Sequence, residues 1–129
     1  MNTVKCKTFK AEVTIGLYKN YTSELISRDE FDKALLVAQE VIKNDLDVYL
    51  STKISECQIV FLGQNEPSIE LQFIQYPKFL VEELELKNAI VELVKLLMKK
   101  LQQNRIVIVF PDETIMLEET SDIDDSIKL

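Results

Sequence analysis

The alternation of apolar and polar positions is strictest near the start of the chain. Phe9, Ala11, Val13, Ile15 and Leu17 alternate with Lys10, Glu12, Thr14, Gly16 and Tyr18, the period of two by which a strand sends successive side chains to opposite faces. This predicts a first strand with one face in a core. A polar stretch, KNYTSELI, follows as a loop, and SRDE then has the spacing of a capping box, in which Ser27 accepts from the Glu30 amide while Glu30 reaches back. Phe31, Ala34, Leu35, Ala38, Val41 and Ile42 recur at three-and-four spacing up to KND, which predicts a first helix with a single buried stripe.

From Asp47 to Leu62 the period of two returns but slips, with Val48, Leu50 and Ile54 on one parity and Cys57, Ile59 and Phe61 on the other. A bulge or break near Ser55 and Glu56 would reconcile the two halves. GQNEP reads as a turn, and Ile69, Leu71 and Phe73 alternate up to Tyr76, where Pro77 stops the ladder. The two strands should form a hairpin. A second helix is expected from about Val81 to Gln103, with Asn104 as its left-handed stop. Leu86, Ile90, Leu93, Leu97 and Leu101 make one stripe on it, and Val91, Val94 and Met98 widen that stripe. So broad an arc belongs either deep in a core or against a partner.

RIVIVFPDETIML, from Arg105 to Leu117, places two short apolar runs around Pro111, Asp112 and Glu113. The paired acids could serve as general acid and base, but Pro and Asp also suit a tight turn, and adjacent exposed carboxylates lack the cleft and the second group that acid catalysis needs. A hairpin carrying a fifth strand is the better reading. Strand, helix, strand, strand, helix, strand is the split β-α-β order of ferredoxin-like α+β folds: an antiparallel sheet with two helices on one face and here a short added C-terminal strand. The fold hosts many functions and decides none of them.

Length and composition narrow the classes. With 129 residues, 47% of them hydrophobic and 29% charged, the chain suits one globular domain, expected over 1–117. Residues 118–129 carry five acids against one Lys and hold −4 of the net −7, as expected of a solvated end or a docking segment for a basic protein partner. The acidic balance argues against nucleic acid and anionic membranes. The N-terminus lacks the apolar core of a signal peptide, and charges at Glu85, Lys87, Glu92 and Lys95 interrupt the most apolar stretch, so a cytoplasmic protein is expected.

With no His and only Cys6 and Cys57, Ser-His-Asp and Cys-His catalysis are excluded, and no metal motif or cofactor is indicated. No catalytic residue is assigned. Tyr18, Lys19 and Arg28 could form a small anion-binding mouth where the first strand meets a helix N-terminus. With helices on one face only, Tyr18, Ile74, Tyr76, Val107 and Val109 should lie on the open face, where Ile74, Tyr76, Val107 and Val109 are expected to meet a second copy in a homo-oligomer. A noncatalytic oligomeric binding or scaffold module is the first expectation. A sensor or enzyme of the dimeric α+β barrel type is the alternative, in which Tyr18, Glu56 or Glu70 would touch a small molecule.

Overall fold

The computed structural model describes residues 1–120. Seven elements follow in order: β1 (Lys10–Gly16), α1 (Arg28–Leu46), β2 (Lys53–Phe61), β3 (Gln64–Ile74), α2 (Glu83–Lys100), β4 (Arg105–Val109) and β5 (Thr114–Glu118). The strands form one sheet in the order β2-β3-β1-β4-β5, with every neighbouring pair antiparallel. This is the expected split β-α-β arrangement with its added strand.

The period of two in β1 sends Ala11, Val13 and Ile15 into the core, where all three are fully buried, beside Ile69, Leu71 and Phe73 of β3 and Ile106 and Ile108 of β4. Ser27 caps α1, accepting from the Glu30 amide at 3.1 Å. The return bond of the capping box is not made, because the Glu30 carboxylate pairs instead with Lys19 at 3.2 Å. Ser27→Ala should therefore destabilise the protein by about 1 kcal/mol, the scale of one lost N-cap, read as a lower urea midpoint with an unchanged slope. An unchanged midpoint would show that the cap contributes nothing.

The broad apolar arc of α2 belongs to the core. Leu86, Ala89, Ile90, Leu93, Val94, Leu97 and Met98 are all buried, because one side of the helix faces the sheet while another meets α1. Two packing partners use up the arc that a sheet alone would leave bare.

Several boundaries move. The slip between Asp47 and Leu62 is not a bulge, since β2 pairs with β3 in unbroken register from Lys53 opposite Gln72 to Phe61 opposite Gln64. Val48 and Leu50 are buried in the irregular segment before the strand, so their parity is unrelated to that of β2. Within β2, Ile54 pairs with Leu71 on the helix side, whereas Cys57, Ile59 and Phe61 alternate onto the other face. The hairpin turn is only Leu62 and Gly63, and Pro67 lies within β3, where its carbonyl accepts from the Leu17 amide at 2.9 Å. Gln102, with φ of 51°, and not the expected Asn104, takes the left-handed position after α2. β5 extends to Glu118, whose carboxylate pairs with Arg105 at 2.8 Å, and the Glu119 amide donates to the Asn104 carbonyl. The rest of the acidic segment lies outside the described residues.

Candidate functional site

The face of the sheet turned away from the helices gathers side chains from all five strands. Its central row runs Ser55, Glu70, Thr14, Val107 and Met116 across the sheet, and the next row runs Lys53, Gln72, Glu12, Val109 and Thr114. On the other side of Glu70, Cys57, Ser68 and Gly16 stand abreast. The middle of the face is thus polar and its margins are apolar. Val107, Val109 and Met116 are exposed on one side, and Ile59 and Phe61 on the other.

The polar centre is organised by an amide. Gln72 donates to Glu70 Oε1 at 2.6 Å and lies 3.5 Å from Glu12 Oε1, and Lys10 Nζ approaches that same Glu12 oxygen at 3.4 Å. Beside them the Glu66 carboxylate lies across Gly16, so close that a Cβ there would sit 2.4 Å from its Oε2. Any side chain at Gly16 would push the carboxylate aside. Burial, and then the charge of Glu70, raise the Cys57 thiol above its ordinary range, which leaves it protonated at neutral pH and a poor nucleophile. The described residues include no group of three or more acidic or Cys side chains placed to hold a metal ion. What this face offers is negative charge framed by apolar surface, a setting for a molecule with a cationic centre and an apolar body.

The residues expected at an anion mouth are brought near the start of α1, but their charges are already answered. Lys19 lies 3.2 Å from both Glu24 and Glu30, and these bonds raise its pKa. Arg28 pairs with Asp32 at 2.8 Å and Glu56 at 3.2 Å. An anion there would have to displace carboxylates. Tyr18 bridges to Leu25 beyond the end of β1, and its carbonyl accepts from Gln103. Glu56 pairs with Ile69 on the helix side of the sheet and Glu70 stands on the open side, so one molecule on the open face would meet Glu70 and not Glu56. Of the four residues expected to meet a second copy, Ile74, Val107 and Val109 are exposed on the open face, while Tyr76 lies beyond β3 and stacks on Phe79 at 5.7 Å.

Asp112 and Glu113 form the β4–β5 turn, closed by the Phe110 amide donating to the Glu113 carbonyl at 2.8 Å. Asp112 also anchors the turn to α2, accepting from Lys87 Nζ at 2.6 Å, with the ammonium 5.2 Å from the centre of the Phe110 ring. The hydrogen bond from Lys87 lowers the Asp112 pKa, and the same bond raises that of Lys87. A depressed carboxylate pKa contributes stability above the unfolded value of about 4 and loses it as pH falls through the folded value. The raised Lys87 contributes below about 10.4 and loses its share as pH rises through its own folded value. Asp112→Asn should therefore be less stable than the parent at pH 7, with the two urea midpoints converging in acid. A gap that stays constant down to pH 2.5 would show that the pair does not stabilise the fold.

Sequence reasoning named Glu70 but missed Glu12, Glu66 and Gln72. The signal was their shared parity on β1 and β3, which becomes useful only once the strand order sets those strands side by side.

The fold and this face define an α+β protein of ferredoxin-like class with a carboxylate-lined open sheet. No known family profile and no curated protein sequence matches the chain. Among solved structures it is similar to a phage SAM lyase in its apo state, with a TM-score of 0.67, 13% identity and coverage of 90% of this chain and 92% of that one. A phage SAM lyase in complex with S-methyl-5'-thioadenosine is similar with a TM-score of 0.63 and 12% identity, over 92% of this chain and 95% of that one. At that identity the likeness shows a shared fold over about nine tenths of each chain. In keeping with it, no helix among the described residues is long and apolar enough to cross a membrane.

Proposed function

We propose that the open sheet face binds S-adenosylmethionine (SAM) and that the protein cleaves it as a lyase, releasing S-methyl-5'-thioadenosine. The observation that carries this reading is the carboxylate strip of Glu12 and Glu70, joined by Gln72, on a fold shared over nearly its whole length with a SAM lyase. The ligand is an alkyl sulfonium with an ammonium at one end and an adenosine at the other. Carboxylates attract its cations, and the apolar margins of the face suit its methyl and adenosine parts.

The chemistry fits a chain without His. The substrate's own carboxylate can attack its γ-carbon, forming a C–O bond while the C–S bond breaks and the electron pair stays on sulfur. A neutral thioether and a lactone result. No proton moves, so no general base is required. Because opposite charges cancel along this path, an apolar surround favours it over water. The protein's part is to fold the substrate so that carboxylate and γ-carbon meet, with Glu70 or Glu12 holding the ammonium.

The test is direct. Incubation of the purified protein with SAM should produce S-methyl-5'-thioadenosine, measured by chromatography and mass spectrometry, faster than SAM decays alone. If the protein neither accelerates that release nor binds SAM or the thioether at millimolar concentration, the noncatalytic module takes its place.

A further inference from the structure

β2 lies at one end of the strand order, and among the described residues no strand pairs with its outer edge. Bare edges recruit other strands, and natural sheets usually guard them with proline, bulges, central charges or short length. β2 has little of this protection. Its nine residues, KISECQIVF, run without bulge or proline; its Lys stands at the very start, and its one central charge, Glu56, is paired with Arg28 at 3.2 Å within the same chain. The chain from Cys57 to Asn65, CQIVFLGQN, has no charged residue in a protein that is 29% charged. Ile59, Val60, Phe61 and Leu62 are all exposed there, Leu62 at 89%.

The turn adds an independent sign. Leu62 and Gly63 have φ of 46° and 83°, the positive pair of a two-residue hairpin turn, which favours Asn, Asp or Gly at its first position. A Leu there sets its Cβ against a carbonyl oxygen. An apolar residue held in strain and turned toward water is better explained by a contact than by the turn.

We propose that β2 pairs antiparallel with β2 of a second copy about a two-fold axis at Cys57, so that one sheet runs through both chains and the open faces stay free. The occupant follows from the charge pattern. Cys57 is the midpoint of Lys53–Phe61, so pairing about it engages the whole strand. It sets Lys53 opposite Phe61, Ser55 opposite Ile59 and Glu56 opposite Gln58, and no like charges face each other. An axis at Glu56 would oppose two carboxylates. For a chain of net −7, this edge is a surface where two copies meet without burying like charge, and the two-fold makes every favourable contact twice. Phe61 and Leu62 then reach the residues that precede β2 in the second copy.

Gln58 provides the test, because its side-chain partner is Asn65 on the same hairpin and the core does not depend on it. Light scattering on the full chain should give twice the mass of one chain. Gln58→Glu sets a carboxylate opposite Glu56 at two symmetric places and should raise the dimer dissociation constant about tenfold, whereas Gln58→Lys should lower it by a similar factor. Circular dichroism melts of both variants measured as monomers should match the parent. Facing Cys57 side chains would lie about 5 Å apart at Cβ, so copper-phenanthroline oxidation should give a covalent dimer with Cys6→Ser and none with Cys57→Ser. A chain that stays monomeric at high micromolar concentration would overturn the proposal. So would a dimer indifferent to both Gln58 substitutions, or one linked only through Cys6.

Discussion

Leu97→Ala should cost about 2–5 kcal/mol, the range for emptying a fully buried leucine site, while Leu84→Ala should change stability by less than about 0.5 kcal/mol. Both leucines lie on α2, yet Leu97 is wholly buried and Leu84 is 71% exposed. The first substitution empties a core position on a helix packed against both α1 and the sheet, and the close-packed layers around such a space cannot close over it freely. Urea unfolding followed by circular dichroism reads the difference directly. Equal effects at the two positions would mean that the arc of α2 is not buried within the chain. The contrast also bears on association, because an α2 spent on the core leaves sheet edges and the open face as the surfaces for a second copy.

Glu70→Gln should weaken SAM binding at least about tenfold, at the lower end of what a hydrogen bond to a charged group contributes. Binding of S-methyl-5'-thioadenosine should change far less. The substitution keeps the shape of the side chain and removes one charge, so a loss confined to the cationic ligand assigns Glu70 to the ammonium or sulfonium. Calorimetric titration with each ligand separates the two cases. Equal losses for both ligands would assign Glu70 a role in shape alone, and no loss for either would remove it from the site. Glu70 stands half-buried in the middle of the open face with Gln72 donating to it at 2.6 Å. Glu12→Gln, at the edge of the same cluster and already beside Lys10, is expected to have the smaller effect.

What the sequence determined by itself is local. The alternation from Phe9 to Leu17, the Ser27 cap and the stripe beginning at Phe31 each depend on residues a few positions apart, so strand, cap and helix could be read in order, and the order gave the architecture. Reading failed where a local signal had two physical causes. Val48 and Leu50 looked like strand positions because they are apolar at spacing two, yet they are buried ahead of β2 in irregular chain. Asn104 has the side chain that favours a left-handed stop, yet α2 ends earlier, at Lys100, and Gln102 takes that conformation. The width of the α2 stripe showed how much surface had to be covered but not by what, since a second helix and a second molecule place the same demand on a sequence. Only the tertiary structure decided that α1 covers it. Strand order likewise placed Glu12 of β1 beside Gln72 of β3, 60 positions apart in the chain, and set Glu56 on the face opposite Glu70. A strand's own period of two says which side chains share a face, but which strands lie next to each other is fixed by long-range pairing, and the site is made there.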